Sequence, residues 1–341
     1  MNATQHGLLE GAIPPSQNTV LFGHDAAQTF LANAYRSGRM HHAILIEGAE
    51  GIGKATLAYR FAHHVLSHPD PSSAPDRLAD PDPNDMVSRQ IASGASHHLL
   101  HLARPVDEKT GKAKSVITVD EVRKAGKFFN QTSGTGNWRI AIIDPADDLN
   151  RNAANAILKI LEEPPKQSLF LVLSHTPGRL LPTIRSRCLS LRLQPLSPPD
   201  VNRALGHLGN APGENDAIVR LSEGSVARAL LMRNYGGADI AEAFVAILES
   251  GSLSNREPIH KLAETLAARD RDVAYQFFTE LTVDRVRAMA HDAGAAGDLM
   301  EADRLARLSA VLVEHFATAA AYNLDRKQTV MHVFTLFFEG S

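Results

Sequence analysis

The stretch Ala43-Ile44-Leu45-Ile46-Glu47-Gly48-Ala49-Glu50-Gly51-Ile52-Gly53-Lys54-Ala55-Thr56-Leu57 decides how the rest of the chain is read. Ala43 to Ile46 is an apolar run of strand length, Gly48 to Gly53 is a glycine-rich turn, and Lys54 to Leu66 has helical periodicity with Leu57, Phe61 and Val65 on one face. Strand, glycine loop and helix in that order make a phosphate-binding loop. The glycines let successive amides point inward, the helix N-terminus adds partial positive charge, and the lysine reaches the terminal phosphates. Gly48, Gly53 and Lys54 hold their anchor positions, with Gly51 between them. The fourth anchor should be Ser or Thr, whose hydroxyl ligates Mg²⁺. Here it is Ala55, and Thr56 comes one residue late, turned by about 100° around the helix. Two readings stay open: a nucleotide site with a weakened metal clamp, or an idle loop that packs helix onto sheet.

Working outward, Trp138 to Ile143 and Leu169 to Leu173 are strands without polar alternation, as expected of central strands in a parallel sheet covered on both faces. The first runs into Asp144-Pro145. Asp144 can reach a metal or simply cap the following turn, while Pro145 occupies the place of an acid that would orient water. Phosphoryl transfer needs the metal clamp and the positioned water together, so autonomous ATP hydrolysis is not expected. Ile184-Arg185-Ser186-Arg187-Cys188 closes the α/β region. An arginine there can stabilise transition-state charge on a neighbouring subunit's γ-phosphate, or can belong to an ordinary surface ion pair.

Between these elements the spacing predicts helices over 24–36, 119–129 and 152–161. Residues 68–85, rich in Pro, Asp and Ser, read as a surface excursion outside the core. After Pro195-x-x-Pro198-Pro199 the pattern is helical only, over 199–208, 214–222, 225–233 and about 241–338, with 293–297 as a loop. The expected organisation is a flexible N-terminus at 1–16, an α/β nucleotide-binding-like domain at 17–195, a helical lid at 196–240 and an all-helical domain at 241–341. The 341 residues are 44% hydrophobic and 21% charged, which excludes a disordered chain. One cysteine, Cys188, excludes a disulfide framework and any zinc site built on paired thiols. A net charge of -3 lacks the basic excess of a protein that grips DNA alone. His63, His64, His68, His97, His98 and His101 lack thiols or a convergent acid and are expected as exposed helix and loop residues, so no metal site is assigned. No apolar stretch reaches the ~18 residues of a membrane span, and Met1 to Pro15 lacks a secretory pattern. A cytoplasmic location is expected.

Five runs together resemble bacterial clamp-loader subunits of the AAA+ class: Leu21-Phe22-Gly23-His24, Arg39-Met40-His41-His42-Ala43, the loop at 48–55, Asn155-Ala156-Ile157-Leu158-Lys159-Ile160-Leu161-Glu162-Glu163-Pro164-Pro165, and Ser186-Arg187-Cys188. The resemblance implies an α/β P-loop AAA+ domain (a parallel sheet with flanking helices), a small helical lid and an all-helical collar. It also implies a replicative role: a stator-like member, deficient in ATP hydrolysis, within the clamp loader of the DNA polymerase III holoenzyme. Its partners would be ATPase subunits of the gamma/tau type, a clamp-opening delta-type subunit, the sliding clamp, and primed DNA through the assembled complex. On this resemblance Arg187 is the arginine finger acting in trans, and Ser174 stands where motor members carry a γ-phosphate sensor, though it is equally a serine ending a strand. Gly48, Gly51, Gly53, Lys54, Ala55, Thr56, Asp144 and Ser174 form a degenerate nucleotide site, with ATP and Mg²⁺ bound weakly or not at all. The lid arginine of the family's Gly-Ser-x-Arg run is displaced by one residue in Gly224-Ser225-Val226-Ala227-Arg228. The family's four-cysteine zinc module is missing, so no zinc is expected. The competing reading is an independent AAA+ ATPase of the motor or helicase-loader type; a small-molecule P-loop kinase is disfavoured by the helical tail and the Glu-Glu-Pro-Pro run.

Overall fold

A computed structural model describes residues 8–107, 113–130, 137–209, 216–250 and 256–339. The expected flexible N-terminus therefore lies partly, at 1–7, outside the described residues. The described chain forms two compact units, Met1–Ala227 and Arg228–Ser341.

The first unit contains α1 (Asp25–Arg36), β1 (Ala43–Glu47), α2 (Lys54–Ser67), α3 (Met86–Ala92), β2 (Leu99–Leu102), α4 (Val119–Asn130), β3 (Arg139–Ile143), α5 (Arg151–Glu162), β4 (Ser168–Ser174), α6 (Pro182–Arg185), β5 (Leu189–Arg192), α7 (Pro198–His207) and α8 (Asp216–Leu221). The strands form a parallel sheet in the order β2-β3-β4-β1-β5. Successive side chains of a strand point to opposite faces, and here both faces are apolar. Ile44, Ile46, Ile140, Ile142, Leu169 and Leu171 pack with Leu31, Tyr35, Leu57 and Phe61 of α1 and α2. Leu45, Ala141, Ile143, Phe170 and Val172 pack with Val122, Phe129, Ile157 and Leu161 of α4 and α5. That double burial is why the central strands show no polar alternation. The two edge strands differ: β5 is largely exposed, and neither it nor β2 stands out as an apolar run.

Two expectations about the first unit are corrected. Residues 68–85 form the largely exposed excursion expected but are not wholly outside the core: Ala74 and Leu78 are buried in it, and Arg60, only 4% exposed, clasps the segment from α2. Its Nη1 donates to Thr19 O at 2.7 Å and Asp80 Oδ1 at 2.6 Å, and its Nη2 to Leu78 O at 3.1 Å. The histidines are mostly not exposed either. His64 is buried against Phe61 and Tyr35, because its position on α2 faces the core, and His63 is bonded to Asp85 Oδ2 at 2.9 Å. Among the described residues no cluster of His, Cys, Asp and Glu has metal-site geometry.

Burial, reinforced by His68 and His63, pushes the His64 imidazole down to about 4. An unfolded chain takes up that proton near the ordinary value of 6.5, so the unfolded state gains protons first as pH falls. Stability is therefore expected to drop between about pH 6.5 and pH 4, by about 3 kcal/mol at most at ~1.4 kcal/mol per pKa unit. Denaturant midpoints measured across that window should lose much of their acid dependence in His64→Leu.

The second unit is helical. It continues α9 (Val226–Asn234) into α10 (Gly237–Ser250), α11 (Glu257–Ala267), α12 (Asp272–Ala295), α13 (Leu299–Tyr322) and α14 (Arg326–Glu339). Its core is an aromatic cluster of Phe244, Phe278, Phe334 and Phe337. The expected loop at 293–297 is shorter than its composition suggests. Alanine is a good helix former, so α12 runs on through Ala295 and the turn is made at Gly297, where φ is +85°. Among the described residues no helix is long and apolar enough to cross a membrane.

Candidate functional site

The glycine loop leaves β1 at the carboxyl end of the sheet, beside the end of β4, where Gly48 N donates to Ser174 O at 3.2 Å. In open α/β sheets ligands bind at this edge, at the point where the strand order reverses; here β1 sits between β4 and β5. The loop conformation requires its glycines. Gly48, Gly51 and Gly53 have φ of +152°, +74° and +103°, and a Cβ on Gly51 would meet Ala227 Cβ and Ser225 Oγ at 2.4 Å.

Carbonyls along the whole loop are held from within the unit. Lys54 Nζ donates to Gly48 O at 2.8 Å and Ala49 O at 2.6 Å. Ser225 Oγ donates to Glu50 O at 2.8 Å, Val226 N to Gly51 O at 3.0 Å, and the His24 ring lies 2.8 Å from Ile52 O through Nε2. The amides of residues 49–53 have no protein acceptor among the described residues. The loop carbonyls are thus engaged, two of them by Lys54 itself, while the amides are left available to an anion. Lys54 is 4% exposed, and this burial pushes its ammonium down to about 8 against the partial compensation of Asp144, Glu50 and Asp147.

The metal side is incomplete. Ala55 places a methyl group where the hydroxyl ligand belongs, and Thr56 is buried on the next position of α2. Asp144 lies at the end of β3 with an oxygen 3.9 Å from His101 Nε2, and Pro145 follows it. Ser174 is fully buried and its Oγ donates to Asp147 Oδ1 at 2.8 Å. Asp147 also accepts from His175 N at 2.6 Å. The phosphate half of the site thus fits a nucleotide, and the Mg²⁺ half does not.

Asp147 and His175 are neighbours of the site that sequence reasoning passes over. Neither lies in a recognisable motif; a short turn after β3 brings Asp147 against the end of β4. His175 is held below the usual imidazole range, first by burial and then by the Lys54 ammonium.

Arg187 lies away from this loop, just beyond the short helix α6. Its Nη2 is 2.7 Å from Glu162 Oε1, and its Nη1 donates to Thr183 O at 3.0 Å. The neighbouring Cys188 thiol is pushed up to about 11 by burial, so it is not a thiolate at neutral pH. In the second unit, Arg228 pairs with Asp284 of α12.

A glycine loop on an interior strand of a five-stranded parallel sheet covered by helices on both faces defines an α/β P-loop domain. The family model for "DNA polymerase III, delta subunit" matches residues 23–197. The delta-prime subunit of DNA polymerase III from Pseudomonas aeruginosa is 30% identical over 264 residues, covering 75% of each chain. The tau subunit from Escherichia coli is 27% identical over 286 residues, covering 82% of this chain and 41% of that one. A gamma-subunit-related protein of known structure from Thermotoga maritima has a TM-score of 0.45 and 16% identity, covering 93% of this chain and 99% of that one. The chain belongs to the DNA polymerase III delta-subunit family, with delta-prime subunits among its relatives.

Proposed function

We propose that the chain is a clamp-loader subunit of the replicative DNA polymerase holoenzyme. It acts as a stator that hydrolyses no ATP itself and supplies Arg187 in trans to a neighbouring ATPase subunit of the gamma/tau type. With a delta-type subunit it helps place the sliding clamp on primed DNA held by the assembled complex. The observation that carries this reading is the split in the nucleotide site: an intact phosphate loop beside two lost catalytic positions, Ala55 and Pro145. Any nucleotide at 48–55 is bound by the loop amides and Lys54 without a full metal clamp, so its role is structural.

The helical unit suits assembly. Along α13, Ala306, Ala310, Val313, Ala317 and Ala320 are exposed at alternating four- and three-residue spacing, and small side chains in that seam let a partner helix approach closely.

The purified chain should turn over no ATP that depends on Lys54: wild type and Lys54→Ala are expected to give the same background phosphate release. Lysine-dependent turnover at the rate of a competent motor subunit would replace this reading by that of an independent AAA+ ATPase. Mixing with gamma/tau-type and delta-type subunits should yield one complex by size-exclusion chromatography.

A further inference from the structure

We propose that Glu162 is a latch for Arg187: a positioning residue that holds the guanidinium inward in the free subunit and gives it up when the neighbour's nucleotide arrives. The inference rests on the reading of Arg187 as the trans-acting finger.

A carboxylate, a backbone carbonyl and a hydroxyl surround this one cation. Glu162 is the last residue of α5, a position where a carboxylate sits against the negative end of the helix dipole and is unfavourable by itself. After the C-cap residue Glu163, Pro164 and Pro165 prevent the helix from continuing, so Glu162 stays at the helix end. The His42 ring lies 3.0 Å from Leu161 O through Nε2, tying the same helix end back to the residue preceding β1. Opposite it, α6 ends at Arg185 and presents the Thr183 carbonyl to Arg187 Nη1. Ser186 Oγ donates to that same carbonyl at 3.1 Å and lies 3.4 Å from Nη1.

The guanidinium is therefore held at both terminal nitrogens, by Glu162 on Nη2 and by Thr183 O on Nη1. A phosphate is gripped best by two parallel N–H groups of the fork, and forming that grip requires at least the Glu162 bond to be exchanged. Exchange is feasible because the pair is accessible: the side chains are 35% and 48% exposed for Arg187 and Glu162. Exposed ion pairs contribute little, which makes the latch reversible and limits its effect to roughly two- to fivefold.

The test is Glu162→Gln, which keeps the side-chain shape and removes the charge. In a complex reconstituted with gamma/tau-type and delta-type subunits, half-saturating ATP for clamp- and DNA-stimulated hydrolysis should fall about two- to fivefold. A weaker latch raises the fraction of complexes with the finger free to dock, so the change falls on half-saturation rather than on the plateau. In the free chain, NMR of the Arg187 guanidinium should show slowed rotation about the Cζ–Nε bond in wild type and fast rotation in Glu162→Gln. Unchanged or raised half-saturating ATP overturns the latch, as does equal rotation in the two free chains. Arg187→Ala, run alongside, tests the finger separately: if it leaves turnover unchanged, the finger reading fails, and the rotation measurement still decides whether Glu162 holds Arg187.

Discussion

On the proposed trans-acting role of Arg187, its replacement by alanine is expected to reduce hydrolysis at one neighbouring ATPase site by about 10³-fold or more, the scale of arginine fingers in phosphoryl transfer. The planar, permanently charged fork stabilises charge that develops on the γ-phosphate in the transition state. A methyl group supplies none of it. Assembly should survive, because the bonds lost inside the chain are one exposed pair with Glu162 and one bond to Thr183 O. Exposed pairs are worth about 0–1 kcal/mol. Clamp- and DNA-stimulated ATPase of the reconstituted complex, together with size-exclusion of the same sample, separates the two effects. Arg187→Lys keeps the charge and loses the fork, so it should recover little of the rate. A full rate in Arg187→Ala would remove the finger from the mechanism.

The second large effect is on stability. Arg60→Met should destabilise the first unit by about 2–6 kcal/mol, the cost of leaving two carbonyls without their buried donor. Arg60 ties three separated segments together through Thr19 O, Leu78 O and Asp80. Methionine fills similar volume but leaves two carbonyls without their donor, each costing about 1–3 kcal/mol if it stays buried. Asp80 is 67% exposed and turns to solvent at little cost, so Asp80→Asn should be nearly neutral. Urea denaturation of the two variants gives the comparison, and limited proteolysis should show the 68–85 segment cut first in Arg60→Met. A shift within 1 kcal/mol of wild type would show that the clasp is not structural.

Much of the first unit is legible from local pattern. The apolar runs at 43–46, 138–143 and 169–173 are strands within a residue or two of their observed ends, since both of their faces are buried and only Arg139, at the very start of β3, breaks the apolar pattern. Prolines and N-caps bound α5 and α7: Asn150 caps α5 by accepting from Ala153 N, and Ser197 caps α7 by accepting from Asp200 N. By contrast β5, Leu189-Ser190-Leu191-Arg192, alternates over only four residues at an exposed edge and gives too few apolar positions to register. The helix Met86–Ala92 is missed for the same reason: it is seven residues long and follows a proline-rich stretch.

The candidate site divides in the same way. Gly48, Gly53, Lys54, Ala55 and Pro145 are readable because glycine, lysine, alanine and proline carry their meaning in their own backbone or side-chain chemistry. So the chain alone establishes a phosphate loop on a strand, followed by a helix, with its metal ligand and its water-orienting acid missing. Periodicity and motif spacing are properties of neighbours in sequence, and they need no fold to be read. The bond from Ser174 to Asp147 spans 27 residues, the clasp from Arg60 to Thr19 spans 41, and the bond from Ser225 to Glu50 spans 175. Contacts at such separations exist only because the sheet and helices pack in one order, and no local pattern encodes them. The folded molecule therefore pinned the proline-rich excursion to the core through Ala74 and Leu78, tied Ser174 to Asp147, buried His64 and set Glu162 against Arg187.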